Sequence, residues 1–212
     1  MKKIVALALV LMGCQSLFAQ SKFNLGIQAS PMFTFVKSEI QDANTKVSLR
    51  FSYGLLSEFH LADNYLISTG INHSYDGGKL TTVIQDTSST VNYSAQFVRI
   101  PMLLKMRTKE IGYMRYFALF GITTGFKVNE KVSVEDRDHL VMEDASYINF
   151  FKAELSIGLG AEYALGGNTR LLMGANFNQN FTNMVDRDES FLEPANKSNR
   201  FSNIMINVGV IF

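Results

Sequence analysis

The chain has 212 residues, a net charge of +1 and 47% hydrophobic residues, so it forms one domain or a tight pair and has neither the disorder signature nor the basic footprint of a nucleic-acid binder. With 18% charged and 12% aromatic residues, 15 Gly and only 3 Pro, it reads as a protein of strands rather than of long surface helices. Its longest apolar run, residues 4–12, is too short to cross a bilayer as a helix, which needs about 20 residues.

That run reads instead as part of a secretory signal spanning residues 1–19. Lys2 and Lys3 give a positive start, residues 4–12 an apolar core, and Ala19 a small residue at the cleavage point. The competing reading is a lipobox, Leu11, Met12, Gly13 and Cys14, with Cys14 as a lipidated first residue. Cleavage after Ala19 is favoured because residues 21–29 already begin a strand and need no tether. The mature chain, 20–212, then has no cysteine and so no disulfide, cysteine nucleophile or thiolate metal site.

From residue 22 the chain alternates with period two. In the first strand Phe23, Leu25, Ile27, Ala29, Pro31, Phe33 and Phe35 share one face, against Asn24, Gly26, Gln28, Ser30 and Thr34. The second sets Phe51, Tyr53, Leu55, Phe59 and Leu61 against Arg50, Ser52, Gly54, Glu58 and His60. A tight turn at Ala62, Asp63 and Asn64 leads to the third, with Tyr65, Ile67, Thr69, Ile71 and Tyr75 on its apolar face. In the fourth, the apolar row shifts from Val91, Tyr93, Ala95 and Phe97 to Val98, Ile100, Met102, Leu104 and Met106, which predicts a β-bulge near Phe97.

The fifth strand carries Tyr116, Ala118, Phe120, Ile122, Thr124 and Phe126 on one face. The sixth alternates cleanly, Phe151, Ala153, Leu155, Ile157, Leu159, Ala161 and Tyr163 against Lys152, Glu154, Ser156, Gly158, Gly160 and Glu162. After a turn at Gly166, Gly167 and Asn168 come a seventh strand, with Leu171, Met173, Ala175 and Phe177 on its apolar face, and an eighth with Ile204, Ile206, Val208, Val210 and Phe212. Short links (62–64, 108–113, 166–169) alternate with longer polar ones (36–47, 76–90, 129–147, 183–200), the pattern of periplasmic turns and extracellular loops. The expected fold is all-β: an eight-stranded antiparallel up-and-down transmembrane β-barrel.

The eighth strand, with its apolar row and final Phe, resembles the closing strand of bacterial outer-membrane barrels. The segment Phe97, Val98, Arg99, Ile100, Pro101, Met102, Leu103, Leu104, Lys105, Met106 resembles the Ile-Pro-Leu-Leu-Leu-Lys segment of the PorT-like outer-membrane β-barrel family of Bacteroidota. Phe120 and Gly121, the run Gly158, Leu159, Gly160, Ala161, Glu162, Tyr163, and the ending from Gly209 to Phe212 extend the likeness, while Arg99 departs from the acidic or small polar residue frequent there. The resemblance implies an outer-membrane location and an accessory role in protein secretion or envelope assembly.

The charges orient the faces. The apolar rows contain no Asp, Glu, Lys or Arg, whereas the opposite rows carry Arg50, Glu58, Arg99, Lys105, Lys127, Lys152, Glu154 and Glu162. A cation on the lipid side at the midplane costs about 2–4 kcal/mol, so the charged rows are expected inside as a packed ion-pair network that leaves no pore. A soluble ligand-binding barrel would reverse this pattern. Aromatic residues suggest two girdles: Phe23, Phe59, Tyr65, Tyr116, Tyr163 and Phe212 at the periplasmic end, and Phe33, Phe35, Tyr75, Phe126, Phe151 and Phe177 toward the other rim.

Candidate chemistry is sparse. Glu135, Asp136, Arg137, Asp138, His139, Glu143 and Asp144 in the third long link offer oxygen ligands for Ca²⁺ or Mg²⁺, but they alternate in sign and lack calcium-loop spacing. They read as a solvated loop, as do Asp186, Asp188 and Glu189. His60 and His73 have no nucleophile or ligand set nearby in sequence. No catalytic, cofactor or metal residue is therefore assigned.

The leading expectation is a non-enzymatic structural or interaction barrel, partnered by outer-membrane lipid and other envelope or secretion proteins, and by no nucleic acid. The alternatives are an outer-membrane hydrolase or acyltransferase using Asp136, Asp138 or His139, and a periplasmic ligand binder anchored through Cys14.

Overall fold

The computed structural model describes residues 23–37, 44–84, 87–134, 149–182 and 200–212. Among them lie nine strands: β1 (Phe23–Lys37), β2 (Asn44–Lys46), β3 (Ser48–Ala62), β4 (Tyr65–Ile84), β5 (Thr87–Arg107), β6 (Met114–Val134), β7 (Phe151–Gly166), β8 (Thr169–Asn180) and β9 (Arg200–Ile211). Every pairing is antiparallel, each long strand pairs with the next, and β9 pairs with β1, so eight strands close into a barrel with no open edge at its wall. The short β2 stands outside this ring, against the far end of β4. The expected eight-stranded antiparallel barrel is the fold observed. The leader, Cys14, and the loop acids 135–144 and 186–189 lie outside the described residues.

The register sets the shape. Passing from Leu25 through Ser57, Thr69, Met102, Ile122, Leu155, Gln179 and Ser202, the pairing returns to β1 at Phe35, ten residues beyond its start. A stagger of that size over eight strands tilts them by roughly 40° and leaves an interior just wide enough for side chains. Corrected for the stagger, Phe59, Tyr65, Tyr116, Tyr163 and Phe212 fall at one height. Phe33, Phe51, Tyr75, Phe126 and Phe151 form a second ring about nine or ten residues higher, a rise of roughly 24 Å along tilted strands. That matches the apolar band of an outer-membrane barrel. Phe177 sits lower, inside the band. Within the rings Phe23 stacks on Phe59 at 4.8 Å and Phe126 on Phe151 at 5.6 Å.

The faces fall as the charges required. Ile157, Leu159, Ile206 and Val208 are exposed on the outside, while Glu58, Arg99, Lys105, Lys152, Glu154 and Glu162 are buried within. Two expectations need correction. The register does shift opposite Phe97, but the extra residue is on β6, where Lys127 and Asn129 pair with successive residues of β5 and Val128 is left over. Strand β5 therefore keeps its phase: Ala95 and Phe97 are buried on the same inward row as Arg99. Their apolar character fills the lumen instead of marking a change of face.

The second correction concerns the links 76–90 and 129–147. Strands β4 and β5 stay paired as far as Ile84 and Thr87, and β6 follows β5 up to the Val91–Val134 pair. These three strands are 20, 21 and 21 residues long, about twice the length that crosses a bilayer. The run Leu80, Thr81, Thr82, Val83, Ile84 is rich in β-branched residues, which favours continued pairing over a loop. The result is a sheet standing beyond the upper ring.

Candidate functional site

The inward rows converge on two charged layers. In the lower layer, near the short turns, Lys105 of β5 donates to Glu58 Oε1 of β3 at 2.5 Å and to Glu162 of β7, while Arg170 Nε of β8 lies 3.2 Å from Glu162 Oε2. The Lys105 ammonium also sits 4.3 Å from the centroid of the Phe117 ring. In the upper layer Lys152 of β7 pairs with Asp76 of β4 and lies 3.1 Å from Glu154, which in turn takes the Arg99 guanidinium of β5. Lys152 stands 4.4 Å from the centroid of the Phe97 ring. Each lysine is thus held between two carboxylates and over a phenylalanine face, a desolvated cation–π contact added to a charge-assisted pair.

These bonds tie strands that are not neighbours. Glu58 and Lys105 reach past β4, Lys105 and Glu162 past β6, and Asp76 and Lys152 span β4 to β7. A buried ion pair contributes little net stability, but losing one partner strands a charge, so such ties fix one arrangement of the strands. An apolar cluster of Leu56, Leu103, Phe117, Leu119, Leu172 and Ile211 packs around the lower layer, and above it lies a belt of polar pairs. In that belt Gln28 Nε2 donates to Asn72 Oδ1 at 2.9 Å, Ser30 Oγ to Asn207 Oδ1 at 2.8 Å, and Thr123 meets Ser156 at 2.8 Å. A cavity of about 50 Å³ remains at this height. It is a chamber for a few water-sized species.

Of the inward charges read from sequence, six join these layers: Glu58, Arg99, Lys105, Lys152, Glu154 and Glu162. Lys127 instead pairs with Glu130 at 2.7 Å above the barrel. Asp76 and Arg170 were missed, the first because its position reads as the start of a loop, the second because it directly follows a turn. The apolar cluster was missed as well, though Leu103 and Leu119 share the parity of Lys105 and Thr123 and so were findable by counting.

The two described histidines lie at the lower rim and on the outer surface. His60 Nε2 is 2.9 Å from Arg107 Nη2 at the lower rim, and His73 lies on the outer surface between Tyr53 and Tyr75, with ring centroids 5.6 and 4.9 Å away. Among the described residues no group of three His, Cys, Asp or Glu side chains is placed to hold a metal. Asp136, Asp138 and His139, on which a hydrolase reading depends, lie outside the described residues.

Comparison with known proteins agrees with this architecture. Residues 18–186 match the outer membrane protein beta-barrel domain family. The Neisserial surface protein A superposes with a TM-score of 0.50 at 11% identity, over 88% of this chain and 95% of that one. The outer membrane protease OmpT from Escherichia coli gives 0.48 at 8% identity, over 91% and 96%, and OprG from Pseudomonas aeruginosa 0.44 at 13%, over 90% and 97%. At these identities the likeness concerns the fold alone. No curated protein matches the sequence.

Proposed function

Because this chain belongs to the outer membrane protein beta-barrel domain family, we propose that it is a non-enzymatic integral protein of the outer membrane that presents its long hairpin sheet to the exterior. In this reading residues 1–19 are a signal removed on export and residues 20–212 form the barrel. The barrel anchors, and the protruding parts of β4, β5 and β6 engage other envelope or secretion proteins, the accessory role implied by the PorT-like resemblance.

The observation that carries the reading is the lysine-centred filling of the lumen. In both layers the lysine is paired with two carboxylates of the chain itself, and the space between the layers narrows to a small chamber. A wall built this way holds a shape and carries a surface.

An epitope inserted at residues 85–86 tests it. The proposal expects the tag to be accessible to antibody on intact cells, the protein to run faster unboiled than boiled on a denaturing gel, and envelope proteins to be cross-linked through the hairpin. A tag accessible only after the outer membrane is opened, or a hydrolytic activity on lipid or peptide substrates lost in His139→Ala, would overturn it.

A further inference from the structure

We propose that the chamber at mid-height of the barrel binds a small monovalent inorganic anion of halide size, held chiefly by Arg99. The chamber lies between the two charged layers and is lined by Arg99, Lys105, Thr123, Asn176, Asn178 and Asn207, among others. Arg99 and Lys105 are the charged residues that line it; Lys105 is held by Glu58 and Glu162, and Arg99 by Glu154 through Nη2.

Arg99 is 2% exposed and its donors are unevenly used. Nη2 is committed to Glu154, but Nη1 reaches only sulfur, Met205 Sδ at 3.1 Å and Met32 Sδ at 3.8 Å, and Nε has no acceptor. Thioether sulfur is a weak acceptor, and a buried guanidinium with unmet N–H groups is costly. An anion beside Nε supplies the missing acceptor. A volume of about 50 Å³ admits a halide with a water or two and excludes an organic ligand. Such an ion would sit beside the Asn207 side chain of β9, whose Oδ1 accepts from Ser30 Oγ, while Asn178 Nδ2 is already given to Asn203 Oδ1.

The test is to fold and crystallise the barrel in sodium bromide and collect data at the bromine edge. A bromine peak within hydrogen-bond distance of Arg99 Nε is expected; a chamber holding only ordered water, with no bromine signal, overturns the proposal. The heat-unfolding midpoint should also rise with chloride over sulfate at matched ionic strength in the wild type and lose that dependence in Arg99→Met. An equal chloride response in Arg99→Met contradicts the site. The wild-type diffraction result decides the matter if that variant does not fold.

Discussion

The ring of Phe117 occupies the space above Gly160: a Cβ at residue 160 would lie 2.3 Å from Phe117 Cζ and 2.5 Å from the Met173 carbonyl oxygen on the next strand. Gly174, paired with Gly160, is covered by the same ring at 3.3 Å. The two glycines make room in the wall for the aromatic residue that closes the lower lumen and backs Lys105.

Gly160→Ala should therefore destabilise the barrel by about 1–3 kcal/mol, as overpacking does. The measurement is the urea midpoint of the barrel in detergent. Combining it with Phe117→Leu should recover only part of the loss, because the contact with the Met173 carbonyl remains. Full recovery would place the whole conflict in the ring.

Lys105→Met leaves Glu58 and Glu162 buried without their shared cation, and a cost of about 3–5 kcal/mol is expected. Adding Glu58→Gln should restore part of it, since one stranded charge is then removed. A double-mutant cycle in urea with no coupling between the two positions would show that the lower layer does not act as a unit.

On the lipid side depth decides the cost. Ile157 lies near mid-height of the apolar band, so Ile157→Arg should cost about 2–4 kcal/mol. Leu61 lies below the lower aromatic ring, and Leu61→Arg should cost about 0–1 kcal/mol. Equal costs at the two positions would remove the membrane from the explanation.

How much of this could be read from the sequence follows from what period two can report. Alternation identifies rows, and the placement of Glu154 against Leu155 and Ile157 fixes which row meets lipid, so the number of barrel strands, their direction and, apart from the upper part of β5, their facing were legible. Alternation says nothing about residues whose polarity disagrees with their face. Phe97 and Ala95 are apolar yet inward, and they suggested a phase change in β5 that does not occur. Nor can it locate the end of pairing outside the membrane: Asp76 looks like the start of a loop, but it continues β4 and supplies half of the upper lysine clamp. The cross-barrel partners themselves depend on the ten-residue stagger, which only the register reveals.

The orientation of the wall can be read directly, because the chain contains no Trp. Single tryptophans placed by Leu159→Trp and Ile206→Trp on the outer surface, and by Phe117→Trp in the lumen, report contact with acyl chains through quenching by brominated lipid. The account predicts strong quenching at 159 and 206 and little at 117; quenching at 117 equal to or stronger than at the other two would contradict it.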